Sequence, residues 1–138
     1  MSEFVDTNVL LYAYDPAAGT RHETARELLG RLGRRRDGAL SVQVLQEFYV
    51  NATRKVAVPM STADAIARVV VLARWPVHSP VAGDVVAAAE LAERNRLSFW
   101  DAMIIRSASE MGCRTLWSED LNAGQVIAGV RIANPFVP

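Results

Sequence analysis

The sequence predicts an α/β fold in three layers, with helices on both faces of a central, mostly parallel sheet of four to five strands. Three observations predict it. Short apolar segments alternate with longer helical ones along the chain. The first of them, Phe4-Val5, stops abruptly in Asp6-Thr7-Asn8 before a new apolar run from Val9 to Tyr14, which reads as a buried strand, a polar turn and a packed helix. A length of 138 residues, 51% of them hydrophobic and 22% charged, suits one domain over residues 1–138 with a sizeable core.

Fifteen basic residues balance fifteen acidic ones, so net charge argues neither for nor against nucleic acid. All the basic residues but Lys55 are Arg, whose fork suits phosphate, although genomic composition favours Arg as well. Cys113 is the only cysteine, which excludes an intrachain disulfide and fits a reducing compartment. The chain shows no basic leader ahead of a long apolar stretch, and no apolar run approaches the ~20 residues of a membrane span. A soluble, cytoplasmic protein is expected.

Beyond the first helix, Asp15 to Gly19 reads as a turn. Thr20 opens the second helix, with Glu23 completing a capping box. Ala25, Leu28, Leu29 and Leu32 form its apolar stripe, and Asp37-Gly38 its stop. Ala39 to Val42 is a second strand, leading into a helix that carries Val44, Leu45, Phe48, Tyr49, Ala52 and Val56 and is broken by Pro59. Ser61, with Asp64, caps a further helix striped by Ile66, Val69, Val70 and Ala73. A short third strand is expected between Pro76 and Pro80, near a sheet edge. A helix from about Asp84 to Arg94 follows, apolar at Val85, Ala88, Ala89 and Ala92. Ser98 caps the last helix, which stops at Gly112. Arg114 to Trp117 is a fourth strand and Val130 to Ile132 a fifth.

Several chemistries are absent from this pattern. There is no phosphate-cradling glycine loop after a strand, and no Gly-x-Ser-x-Gly elbow. One Cys and the distant His22 and His78 make no zinc site; both histidines read as surface or packing residues. The acids are more informative. Ligands of open α/β sheets bind past the carboxyl ends of the strands. Asp6 ends the first strand and Asp120 lies just beyond the fourth. Glu47 sits one to two turns into the helix after the second strand, and Asp101 in the first turn of the Ser98 helix. Each has a structural alternative: Asp6 as a helix cap, Asp101 as half of a capping box, Glu47 as a surface acid, Asp120 as a turn residue. Against these stand the apolar neighbours of Glu47 (Val44, Leu45, Phe48, Tyr49) and of Asp101 (Phe99-Trp100 and Ala102 to Ile105).

These residues resemble the PIN-domain ribonucleases, most closely the VapC-type toxins of bacterial toxin–antitoxin pairs, over nearly the whole chain. Phe4-Val5-Asp6-Thr7-Asn8-Val9-Leu10 looks like the opening motif of that family, Gln46-Glu47-Phe48 like the second, and Ser98-Phe99-Trp100-Asp101-Ala102-Met103-Ile104 like the third. Leu116 to Asn122 looks like the fourth, and the closing Asn134-Pro135-Phe136 is common there too. The resemblance implies a three-layer PIN-like domain and a metal-dependent endoribonuclease. Asp6, Glu47, Asp101 and Asp120 are the implied metal-binding, catalytic acids; Thr7, Asn8 and Asn122 support them or touch the substrate. Glu119 neighbours Asp120, and Asp120 is preferred because it aligns with the family acid. A cluster of carboxylates without His or Cys selects Mg2+ or Mn2+, which can activate water and stabilise charge on the phosphate. The resemblance further implies an RNA substrate, a VapB-type antitoxin that neutralises the protein, and a homodimer. The antitoxin is expected to fill an apolar groove of exposed Trp and Phe side chains on the early helices and to bring a basic side chain to the acids.

Two other readings are weighed. One is a phosphate-handling α/β hydrolase or phosphoacceptor domain with Asp6 as nucleophile. The haloacid-dehalogenase phosphatases carry a second acid two residues on, where this chain has Asn8. Receiver domains need a Lys near the acids, and Lys55 is expected to lie away from them. The other is a non-catalytic PIN-like binding module, against which the presence of all four acids argues.

Overall fold

The computed structural model describes residues 2–137. Its centre is a sheet of six strands in the order β3-β2-β1-β4-β6-β5, parallel except at its β5 edge. The strands are β1 (Glu3–Val5), β2 (Gly38–Ser41), β3 (Val77–His78), β4 (Thr115–Trp117), β5 (Val126–Ile127) and β6 (Val130–Ala133). The helices are α1 (Thr7–Ala13), α2 (Thr20–Arg35), α3 (Val42–Arg54), α4 (Thr62–Leu72), α5 (Ala82–Asn95) and α6 (Phe99–Glu110), with a single 3-10 turn at Pro16–Ala18.

Strand order decides where ligands bind. From β1 the chain steps outward to β2 and then β3, and next crosses back over β2 and β1 to reach β4. Crossovers between parallel strands are right-handed, so a reversal of direction sends the intervening helices to the opposite face. The helices accordingly pack as two groups: α1 with α2 and α3, and α3 with α4, in one; α5 with α6 in the other. The reversal also makes a switch point between β1 and β4, whose carboxyl ends part there to leave a crevice. β1 is the innermost strand, and Phe4 and Val5 are wholly buried.

The sixth strand is a correction to the four or five expected. β5 is two residues long, too short to show a period, and joins β6 through Ala128-Gly129. Both turn residues have positive φ, 53° and 78°, as a two-residue hairpin requires. An Ala at such a position is not a sequence signal for a turn, which is why this strand escapes notice.

Helix boundaries follow local chemistry with three exceptions. Ser61 and Ser98 cap α4 and α6 as expected, each hydroxyl accepting an N–H three residues on at 3.1 Å. Thr20 is not a cap: Gly19, at φ 66°, precedes α2, and its carbonyl accepts the Glu23 N–H, so no capping box forms. α2 ends at Arg35 with Arg36 left-handed, and Gly38 instead opens β2, where any Cβ would overlap the Trp75 ring. α3 ends at Arg54, so Val56 lies outside it.

The stripe of α2 is buried as expected at Ala25, Leu28, Leu29 and Leu32. Those of α4 and α5 have the right period and the wrong phase. α4 buries Ala65 and Leu72 with Val69 half-buried between them, and exposes Ile66, Val70 and Ala73. Its main packing partner is α3, so only one narrow row is covered. α5 starts at Ala82 and buries Asp84, Ala88 and Leu91, leaving Val85 and Ala89 outside. The Asp84 carboxylate sets that phase: it accepts the Val81 N–H at 2.9 Å and Arg106 Nε at 2.9 Å, with His78 Nε2 at 3.5 Å.

Candidate active site

The crevice at the switch point holds a pocket of about 550 Å³, and Asp6, Glu47, Asp101 and Asp120 all line it. Four separate elements deliver them: the end of β1, the second turn of α3, the first turn of α6, and the turn after β4.

Asp6 is nearly buried and has two jobs. It caps α1, its Oδ1 accepting the Thr7 N–H at 2.7 Å. Its Oδ2 accepts the Ser118 hydroxyl at 2.8 Å and, more weakly, Asn8 Nδ2 at 3.5 Å. Burial pushes the carboxyl up to about 6; the Ser118 and Thr7 hydrogen bonds oppose the rise, while the charges of Glu47 and Asp101 add to it.

Glu47 is held from both sides. Thr7 Oγ1 donates to its Oε1 at 2.6 Å and Gln43 Nε2 to its Oε2 at 3.0 Å. Gln43 Nε2 also reaches the Trp100 carbonyl at 3.1 Å, tying the start of α3 to the start of α6. Asp101 receives its place from the Ser98 cap. Asn8 bridges β1 to the turn after β4: its Nδ2 donates to Asp120 Oδ2 at 3.1 Å, and its Oδ1 accepts the Glu119 N–H at 3.2 Å. Thr7 and Asn8 thus both hydrogen-bond to acids of the pocket. Asn122 does not join them; it is exposed, and absent from the pocket lining.

Glu119 is engaged elsewhere. Tyr12 Oη donates to it at 2.7 Å and Arg21 Nε at 2.5 Å. Partial burial would raise this carboxyl, but those two donors outweigh it and hold the group below its ordinary value. Arg21 also lies over the Tyr12 and Phe136 rings, which meet edge to face at 5.2 Å. This cluster anchors the closing Asn134-Pro135-Phe136 segment and the turn that carries Asp120.

Three contributors were not foreseen. Ser118, buried behind Asp6, was only part of a motif in the sequence. Gln43 lies one helical turn before Glu47, an i, i+4 relation that could have flagged it. Lys55, expected far from the acids, lines their pocket. The exposed Trp and Phe groove expected on the early helices is also not found. Phe48 is fully buried, the large apolar side chains exposed on α3 and α4 are Val50, Ile66, Val70 and Val71, and the exposed Trp among the described residues is Trp100 on α6.

Neither histidine serves the pocket. His22 Nδ1 pairs with the Tyr12 carbonyl at 2.9 Å. His78 Nδ1 pairs with Ser107 Oγ at 2.9 Å, with Asp84 beyond it, but Ser107 is wholly buried and no substrate can reach it.

The donor set fits a hard divalent cation: all oxygen, from carboxylates, with an acid of raised pKa at its centre. Among the described residues no three His, Cys, Asp or Glu side chains stand close enough to grip an ion by themselves. Mg2+ does not require that, since it keeps several waters and is held by one or two carboxylates together with substrate phosphate.

Fold and pocket define a class: an α/β domain that gathers carboxylates from separate elements at its switch point. A model of the PIN domain matches residues 4–127, and the chain belongs to the PIN-domain family. No curated protein matches it. Among solved structures, its fold is similar to that of VapC20 from Mycobacterium tuberculosis, described as a sarcin–ricin loop cleaving toxin, at 24% identity and a TM-score of 0.67 over 86% of this chain and 90% of that one. A toxin–antitoxin complex from Klebsiella pneumoniae is similar at 19% identity and a TM-score of 0.68, covering 98% of both chains. VapBC2 of Rickettsia felis, bound to a DNA fragment from their promoter, is similar at 17% and 0.65, covering 97% of this chain and 98% of that one. No helix among the described residues is long and apolar enough to cross a membrane.

Proposed function

We propose that this chain is a metal-dependent endoribonuclease of the VapC toxin type. The reading is carried by one observation: four carboxylates from distant parts of the sequence line a single pocket at the switch point of a PIN fold. Asp6, Glu47, Asp101 and Asp120 would hold Mg2+ or Mn2+ between them, one or two directly and the others through waters the ion keeps. The cation, when bound, neutralises phosphate charge and makes water a better nucleophile.

The remaining work belongs to the chain. Asp6, fixed by Ser118 and the Thr7 N–H, gives the pocket a carboxylate whose oxygens cannot turn away. Thr7 and Gln43 hold Glu47 facing it. Asn8 keeps the Asp120 turn in register with β1. Without a bound cation the acids repel an RNA phosphate, so activity should depend wholly on metal.

An antitoxin of the VapB type would silence the enzyme by bringing a basic side chain into the acidic pocket. The exposed Ile66, Val70 and Val71 of α4 and Val85 and Val86 of α5 offer apolar surface for that partner or for a second copy in a homodimer. The protein would act in the cytoplasm, on RNA.

The test is cleavage of RNA with Mn2+ beside an EDTA control. Cleavage only with metal, leaving 5′-phosphate and 3′-hydroxyl ends, is expected, because no histidine lines the pocket to activate a ribose 2′-hydroxyl. Products ending in 2′,3′-cyclic phosphate would refute the mechanism.

A further inference from the structure

α3 contributes a second group of polar side chains to the acid pocket, and the chemistry above leaves them unused. Asn51 and Lys55 line it together with Glu47, and so does Gln46. Glu47 and Asn51, four residues apart, share one face of α3, and Lys55, four residues further, is the residue that ends the helix. Glu47 is committed to Thr7 and Gln43. The side chains of Gln46, Asn51 and Lys55 make no hydrogen bond or ion pair among the described residues. Lys55 is the only Lys of the chain and the only basic residue lining the pocket.

A strand of RNA crossing this pocket meets two electrostatic problems. The reacting phosphate faces four carboxylates, for which a bound cation compensates. The next phosphates along the strand lie beyond that cation and still feel the acids. A fixed positive charge and neutral amide donors leading away from the acids would solve the second problem.

We infer that Gln46, Asn51 and Lys55 form the track for the RNA strand flanking the cleaved bond, with Lys55 paired to a phosphate beyond the reacting one. This rests on the ribonuclease reading of the pocket. Eight residues lead from Glu47 to Lys55 at the end of α3, about 12 Å at 1.5 Å per residue. That spacing exceeds the step from one phosphate to the next, so the phosphate paired to Lys55 lies beyond the one being cut. Asn51 donates to the sugar-phosphate backbone in between, and Gln46, beside Glu47, donates to it near the cleaved bond.

The experiment measures binding of a labelled single-stranded RNA of roughly a dozen nucleotides by fluorescence anisotropy. It is done in EDTA on the Asp6→Asn background, so that nothing is cut. Adding Lys55→Ala should weaken binding about tenfold at low salt and lower the slope of log K against log salt by about 0.7, the loss of one phosphate contact on a single strand. Lys55→Arg should retain both. In Mn2+, with Asp6 intact, Lys55→Ala should raise KM and leave kcat unchanged, and a substrate too short to reach Lys55 should not sense the change. Unaltered affinity and salt slope in Lys55→Ala would overturn the track, as would a KM in Mn2+ that Lys55→Ala leaves unchanged. A chain that binds through Lys55 yet never cuts would refute the nuclease reading and keep the track. Metal-dependent cutting indifferent to Lys55 would do the reverse.

Discussion

Thr7 Oγ1 and Glu47 Oε1 lie 2.6 Å apart, joining the first residue of α1 to the second turn of α3 across 40 positions of sequence. The hydroxyl that follows the strand-ending acid therefore aims the next acid. Replacing it with the isosteric Thr7→Val removes the donor and keeps the shape. A hydrogen bond to a charged group is worth about 1.5–3 kcal/mol, so metal-dependent kcat/KM should fall by roughly 10- to 100-fold. Thr7→Ser should recover most of it. A Thr7→Val enzyme as fast as wild type would show that Glu47 needs no such anchor.

Asp6 makes metal-free stability depend on pH. Its carboxyl is raised from 3.8 to about 6 in the folded protein. Below about 4 both folded and unfolded chains hold this proton. Between 4 and 6 only the folded chain keeps it, so stability falls as pH rises through that window; above 6 the loss is complete, on the order of 3 kcal/mol. Asp6→Asn caps α1 about as well and lacks the charge. In EDTA at neutral pH it should melt above wild type, and near pH 4 at a similar temperature. It should also lose the stabilisation that Mn2+ gives wild type, and RNA cleavage with it. Thermal melting across pH, with and without Mn2+, decides this; a variant that keeps both the metal shift and the cleavage would remove Asp6 from the site.

Adjacent acids at the β4 turn should separate cleanly. Asp120 faces the pocket, whereas Glu119 is tied to Tyr12 and Arg21. Glu119→Gln should leave cleavage within a few-fold of wild type and cost about 1 kcal/mol or less, since its ion pair is largely exposed on the Arg21 side. Asp120→Asn should cut activity by more than tenfold with little loss of stability. Equal losses of cleavage in the two variants would contradict this division.

Asp84 carries stability rather than chemistry. Hydrogen bonds from Val81 and Arg106, with His78 nearby, hold its carboxyl below the ordinary 3.8. Its contribution is therefore fully present above that value and is lost as pH falls from there through the lower folded-state value. Asp84→Ala leaves Arg106 and the Val81 N–H without their shared acceptor and should destabilise the fold by about 2–3 kcal/mol, while Mn2+-dependent cleavage at low temperature persists. Denaturant unfolding measures the first and the RNA assay the second; an unchanged midpoint would show the cluster to be dispensable.

What the sequence determined by itself is the kind of fold and which acids end its strands or open its helices. Strand-then-acid at Phe4-Val5-Asp6, serine caps at Ser61 and Ser98, and the stripe of α2 are local statements. Neighbours a few residues apart enforce each of them, so each can be read from order alone. Tertiary structure decided the rest. The phases of α4 and α5 depended on which neighbour covered them, and for α5 on a buried Asp84 whose partners Arg106 and His78 come from other elements. The hairpin of β5 depended on pairing with β6, which no two-residue segment can announce. Above all, the convergence of Asp6, Glu47, Asp101 and Asp120 on one pocket, with Ser118, Gln43 and Lys55 beside them, followed from the reversal of strand order between β3 and β4. A linear chain records which side chains it carries; their distances in space come only from the crossovers that fold it.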